Sequence, residues 1–334
     1  MKRKIILDPY GRTLHEIFEP ADLKRLYELT DVVWGRDDPM PEAEFAQAKA
    51  EAFAIVTGRW RYGPLDEMAN LHAILEVGGR HPSPQALDYP TCFARSIRVL
   101  SCAPAFGPMV AEMALGMALA AAREIVDGHI AFTTGEERWL HAGNLATFTL
   151  YNQTIGFVGY GGLARALQPL LTPFHGKIQV YDPWLPTNYL ISQGVTPVDI
   201  ATLLETSKII FVLAIPSAAN KAFLNREQLM RIQPGAVFVL ISRSHVVDFD
   251  ALTELVSAGR FKAAIDVFPE EPLPQDHPIR KAPGVVLSAH RAGSVPSDLR
   301  NIGRMVVNDL EAMLAGLPPM EMQVAQPELI FRLE

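Results

Sequence analysis

Three side chains lying far apart in the chain are of types that move protons and hold anions. They are Arg243 in "VLISRSHVVD", Glu271 in "DVFPEEPLP" and His290 in "VVLSAHRAG". Each follows a short apolar run that reads as a buried strand, and open α/β sheets gather ligands at the carboxyl ends of their strands. An arginine there can grip a carboxylate with two parallel hydrogen bonds and polarise an adjacent carbonyl. The other reading of Arg243 is an ion pair with Asp248 or Asp266. A carboxylate beside an imidazole favours the protonated ring, and such a ring gives a proton to a reacting oxygen near neutral pH and takes it back in reverse. The acidic turn offers both Glu270 and Glu271 for that pairing. The remaining histidines, such as His15 and His245, carry the ordinary expectation of surface or packing.

A second motif, "TIGFVGYGGLARAL" at 154–167, has glycines at 156, 159 and 161 and alanine at 164. It reads as strand, tight turn and helix. Gly159 permits the turn, Gly161 lets backbone approach a pyrophosphate, and Ala164 lets the helix pack closely on the strand. The helix N-terminus then faces the phosphates with free N–H groups and a partial positive charge. The next strand, "KIQVYD", ends at Asp182, 21 residues past Gly161. A carboxylate there accepts from both ribose hydroxyls and repels a 2′-phosphate, which favours NAD over NADP. The alternative for Asp182 is a strand-end aspartate capping the turn that follows.

These residues need a scaffold of alternating strands and helices. Before the glycine motif, "KIILDP", "AFAIVTG", "LHAILEVGG" and "IRVLSCAP" read as strands, with amphipathic helices at "ADLKRLYEL" and "EAEFAQAKAEA". A long helix is expected from about Met109 to about Asp127, followed by a polar, less regular stretch to Leu150. After the motif, strands "IIFVLAI", "AVFVLIS", "FKAAIDVF" and "GVVLSAH" alternate with helices, and "SDLRNIGRMVVNDLEAMLAG" is a long amphipathic helix. The tail "LPPMEMQVAQPELIFRLE" reads as an extended arm. Such alternation implies mostly parallel sheets and an α/β fold.

The bulk numbers agree with two domains. The chain has 334 residues, 49% hydrophobic and 20% charged, enough for a sizeable core. A net charge of -7 argues against nucleic acid as the main partner. Cys92 and Cys102 form no C-x-x-C pair, which suits a reducing compartment. The N-terminal apolar run is too short for a signal peptide, and "MVAEMALGMALAAAREI" falls short of a membrane span, so no membrane partner and a cytoplasmic address are expected. No H-E-x-x-H, clustered Cys/His spacing or Walker loop supports a metal or a nucleoside triphosphate.

The ordered set of "TIGFVGYGGLARAL" with "VYDP", then "SRSHVVD", "DVFPEEPLP" and "SAHRAG", resembles the D-isomer-specific 2-hydroxyacid dehydrogenase family over about Leu71 to Arg300. The resemblance implies a Rossmann-type NAD-binding domain, 104–294, inserted into a flavodoxin-like substrate domain made of 1–103 and 295–334. It implies a cleft between the two and a homodimer through the cofactor domain. Carried over by position, Arg243 binds the substrate carboxylate and keto oxygen, Glu271 pairs with His290, and His290 is the acid/base. Cofactor-binding residues would be Gly159, Gly161, Gly162, Leu163, Asp182 and Asp266. Backbone N–H groups of Val77, Gly78 and Gly79 in "EVGGRH" would bind the substrate carboxylate, the other reading of this loop being an ordinary strand-end turn. The implied reaction is hydride transfer between NAD(H) and a small 2-hydroxy or 2-keto acid such as glyoxylate or hydroxypyruvate. Alternatives on the same fold are an NAD-responsive binding or corepressor-like protein, and a dehydrogenase of a smaller anion such as formate or phosphite.

The sequence departs from the family pattern around these residues. Ser244 stands where glycine usually follows the arginine, Ala289 where proline usually precedes the histidine, and Arg291 follows it in place of a small or apolar residue. The substrate loop, "GGRHPSPQALD", lacks the second spaced glycine. None of these removes a catalytic side chain; together they bear on the substrate, and Arg80 or Arg291 would suit an additional anionic group, the favoured reading of each being a solvated surface side chain.

Overall fold

Runs of β-branched and aliphatic residues form most of the strands. In the computed structural model, which describes residues 2–332, they build two sheets. The chain divides into two compact units: residues up to Phe106 with those from Ser294 onward, and Gly107–Gly293.

The first unit holds β1 (Lys4–Asp8), β2 (Asp31–Trp34), β3 (Ala52–Thr57), β4 (Ala73–Glu76), β5 (Arg98–Ser101) and β13 (Gln323–Val324), in the order β13-β5-β4-β3-β1-β2. The first five strands are parallel, and their order is the flavodoxin-like one. β3 and β4 are buried along their whole length, as parallel strands covered on both faces must be. β2, only partly buried at the sheet edge, gives too weak an apolar signal to read from sequence. The tail is not simply an extended arm. Gln323–Val324 pairs antiparallel with β5, and Pro327–Ile330 is helical. Buried Asp309, on the helix Asn301–Leu314, accepts from the N–H groups of Met320, Glu321 and Met322 and so fixes the tail's path. Its last two residues, Leu333 and Glu334, lie outside the described residues.

The second unit holds β6 (Thr154–Val158), β7 (Lys177–Tyr181), β8 (Thr196–Pro197), β9 (Ile209–Val212), β10 (Val237–Leu240), β11 (Lys262–Ile265) and β12 (Val285–Leu287). Their order is β12-β11-β10-β9-β6-β7-β8, all parallel. The chain reverses its direction of travel across the sheet between β6 and β9, the topological switch point at which doubly wound sheets bind ligands. One face is covered by the helix Gly107–Ala122, whose Ala111, Ala114, Ala118 and Ala121 allow close approach to Phe157, Phe211 and Val239. The other is covered by the helix Phe249–Ser257 through Phe249, Leu252 and Val256.

The single long helix expected to reach Asp127 is two helices. It stops at Ala122, Glu124 takes a left-handed φ of 51°, and a second helix runs over Ile125–Thr134. That second helix occupies part of the stretch expected to be irregular. By length and composition Ala103–Ala122 is apolar enough to cross a membrane, contrary to the expectation from sequence. In the fold its central alanines and Met117 are buried in the core of the second unit.

Candidate active site

The phosphate loop leaves β6 at Gly159, whose φ is 92°. A Cβ there would stand 2.8 Å from the backbone of Ala214, so only glycine satisfies both the turn and the approach. The helix Gly162–Leu171 begins with no side-chain cap, and ideal Cβ positions at Gly161 and Gly162 face open space. Uncapped N–H groups beside unobstructed backbone fit a pyrophosphate.

Asp182, just beyond β7, accepts three backbone N–H groups. One carboxylate oxygen accepts from Tyr160 N–H at 2.8 Å, and the other from Trp184 and Leu185 N–H at 2.9 and 3.2 Å. It thus ties the phosphate loop to its own turn, the capping geometry weighed against the ribose contact. A carboxylate offers about four acceptor directions, so three backbone bonds leave room for a hydroxyl.

Three neighbouring strands, β10, β11 and β12, deliver Arg243, Glu271 and His290. β10 exits to Arg243, which is exposed and bonds the carbonyl oxygen of Ser242 at 2.7 Å. β11 exits to Asp266 and the turn carrying Glu271. β12 exits to His290, whose Nδ1 lies 2.6 Å from Glu271 Oε2. The other oxygen of Glu271 accepts from Phe268 N–H at 3.0 Å. Burial pushes the Glu271 carboxyl up, but the bonds from His290 and Phe268 and the charges of His290 and Arg243 outweigh it and hold the group below its usual value. Glu271 therefore stays ionised beside the imidazole. Glu271, rather than its exposed neighbour Glu270, is the carboxylate on His290.

His290 itself adopts a left-handed φ of 51°, uncommon for a residue with a side chain. Its N–H donates to the Asp266 carbonyl oxygen at 2.8 Å, and the fully buried Asp266 carboxylate accepts from Arg291 and Ala292 N–H at 3.0 and 3.1 Å. Asp266, expected among the cofactor ligands, spends its carboxylate on seating the His290 turn. Asp248, offered as a partner for Arg243, caps the helix Phe249–Ser257 through Ala251 N–H.

In the first unit, the loop after β4 uses its donors internally. Val77 N–H bonds Thr57 O at 2.9 Å. Gly78 N–H donates to Glu76 Oε1 at 2.8 Å, and Gly79 and Arg80 N–H donate to Glu76 Oε2 at 3.1 and 2.9 Å. Glu76 was not singled out from the sequence. The available signal was an acidic residue closing a buried strand two positions before a glycine pair.

Residues 115–292 match the model of the D-isomer specific 2-hydroxyacid dehydrogenase, NAD binding domain. The chain belongs to this family. This dehydrogenase is 30% identical to the glyoxylate reductase of Thermofilum pendens over 90% of both chains. It is 29% identical to the D-3-phosphoglycerate dehydrogenase of Methanocaldococcus jannaschii over 69% of this chain, but spans 44% of that relative. The crystal structure of a phosphoglycerate oxidoreductase from Rhizobium etli superposes with a TM-score of 0.87 at 38% identity, covering 97% of this chain and 99% of that one. NAD is the cofactor of the matched domain, and the dehydrogenase is an oxidoreductase acting on 2-hydroxy acids.

Proposed function

We propose that this dehydrogenase interconverts a small 2-keto acid, of the size of glyoxylate or hydroxypyruvate, and its 2-hydroxy acid, with His290 as acid/base. The observation that carries this reading is the 2.6 Å contact between His290 Nδ1 and an ionised Glu271. With Nδ1 engaged, Nε2 is the ring atom that gives a proton to the substrate oxygen in reduction and removes it in oxidation. Arg243 binds the substrate carboxylate and polarises the keto oxygen. Gly159, Gly161, Gly162, Leu163 and Asp182 hold the dinucleotide, which when bound supplies the hydride chemistry at C2. Asp266 serves that site through the His290 turn. The unit containing Val77, Gly78 and Gly79 is the substrate domain; its N–H groups for a carboxylate are those of Gly78 and Gly79, that of Val77 being bonded to Thr57 O.

A second reading of the substrate is favoured by the 38% identity to a phosphoglycerate oxidoreductase: a 2-hydroxy acid carrying a phosphate. Exposed Arg59 and Arg80, on loops that follow the adjacent strands β3 and β4, suit the added charge. The second unit leaves Ile130, Phe132, Trp139, Leu140 and Leu145 exposed, which supports a homodimer through that unit. Two buried free thiols, Cys92 and Cys102, suit the reducing cytoplasm.

The test is oxidation of NADH and NADPH by purified protein against glyoxylate, hydroxypyruvate, phosphohydroxypyruvate, pyruvate and 2-ketobutyrate. Turnover that requires a 2-keto acid and favours NADH is expected. Tight NADH binding with no reduction of any acid would overturn the reading in favour of a binding protein.

A further inference from the structure

The loop after β4 ends a buried strand with a carboxylate that hydride transfer does not call for. Glu76 is 3% exposed. The successive N–H groups of Gly78, Gly79 and Arg80 converge on its two oxygens at 2.8, 3.1 and 2.9 Å. Consecutive N–H groups aimed at one point form an anion-binding nest. The two glycines are what let it form. A Cβ on Gly78 would stand 2.4 Å from Glu76 Oε1, and Gly79 has a φ of 103° with its Cβ position 2.9 Å from the Phe106 ring. The carboxylate seat of the loop is therefore built, and its occupant is the chain's own side chain.

We propose that Glu76 gates substrate binding: its ionised carboxylate fills the loop's carboxylate seat, and a substrate carboxylate takes those N–H groups only after Glu76 accepts a proton or turns away. This rests on the reading of the loop as substrate-binding. Two carboxylates do not share one nest, because the donors are spent and the like charges repel.

The surroundings set the pH at which the seat opens. Burial pushes the Glu76 carboxyl up to about 7, against the N–H groups of Gly78, Arg80 and Gly79 and the charge of Arg80. The Cys102 thiol, just past β5, and the Tyr89 hydroxyl, on the helix Tyr89–Ala94, are both pushed up by burial and further by Glu76, so they face it as neutral groups. Arg12 is a cation that acts on the Cys102 thiol. Below about pH 7 the protonated side chain gives up its charge-assisted bonds and the seat becomes available. Above it, substrate binding requires proton uptake, so KM rises tenfold per pH unit.

The experiment uses the wild-type chain with saturating NADH. KM for glyoxylate is measured from pH 6 to 9, and the 15N-amide shifts of Gly78, Gly79 and Arg80 are followed over the same range without substrate. The expected result is a KM that climbs about fiftyfold between pH 7 and 9, with the three amides shifting together through one midpoint near 7. In Glu76→Gln the pH slope disappears, and KM at pH 8 falls at least tenfold below wild type. A flat wild-type KM, or a Gln variant with a raised KM at pH 8, overturns the proposal. If the variant does not fold, the wild-type profile decides alone. If no 2-keto acid is turned over, the functional reading fails separately and acetate decides. Acetate that moves the three amides below pH 7 but not above it supports the proposal; acetate shifts that ignore pH, or none at all, contradict it.

Discussion

The backbone N–H of His290 donates to the carbonyl oxygen of Asp266 at 2.8 Å, and the carboxylate of the same aspartate takes the next two N–H groups, those of Arg291 and Ala292. One buried residue thus holds the left-handed turn that presents the imidazole. Asp266→Asn removes the charge and leaves a single acceptor for two donors. It is expected to cost about 2 kcal/mol of stability and to lower kcat by about 10²-fold, because a misplaced acid/base loses that much. Denaturant melts and steady-state rates check both; a wild-type kcat would show that the turn seats itself without the carboxylate.

Glu271 and His290 form a pair whose pH window follows from the carboxylate. The Glu271 value is held below that of an ordinary glutamate, so its contribution to stability is present above the unfolded value and lost as pH falls through the lowered one. Glu271→Gln should remove that acid-side dependence of stability and lower kcat/KM by about 10–100-fold, since the amide replaces the charged partner that holds the imidazole through Nδ1. Thermal melts at pH 3 to 7 beside rate measurements test this. Parallel melting profiles of variant and wild type would contradict the pairing.

Gly159 and Gly161 separate the two duties of the phosphate loop. Gly159→Ala meets both a positive φ and the Ala214 backbone, and should destabilise the fold by about 1–3 kcal/mol. Gly161→Ala has open space and a φ of −85°, so the melting temperature should hold while NADH binding weakens. Unweakened NADH binding in Gly161→Ala would show that the space at Gly161 has no part in binding.

Asp182 is expected to make NADH the better reductant, and Asp182→Ala to narrow the preference for NADH over NADPH at least tenfold. Because the carboxylate also holds Tyr160, Trp184 and Leu185, the same change should lower the melting temperature. A preference that survives the substitution would assign selectivity to other residues.

The exposed apolar side chains around Phe132 and Leu140 predict a particle of twice the 36.8 kDa chain mass by light scattering. Phe132→Asp with Leu140→Asp should yield the monomer. A wild-type monomer would leave this surface for another partner.

Much of the site was legible because its signals are local. A glycine motif between a strand and a helix, and single polar residues closing apolar runs, mark strand exits without any knowledge of the sheet. What the sequence hid depends on contacts across the chain. That Asp182 clamps the phosphate loop needs Tyr160 to lie against the exit of β7, 22 residues on in sequence. That Glu76 fills its own loop needs the nest to turn back on it. The break at Glu124 has no sequence signal, because apolar residues continue on both sides and its left-handed backbone separates the helices. The strand β2 and the pairing of β13 are short, and their partners, not their composition, make them strands.

The most direct measurement is single-turnover hydride transfer by His290→Ala beside wild type, at saturating NADH and the preferred 2-keto acid. A rate constant at least 10²-fold below wild type, with NADH still bound, is the predicted result. A variant as fast as wild type would contradict the assignment of His290 as the proton donor.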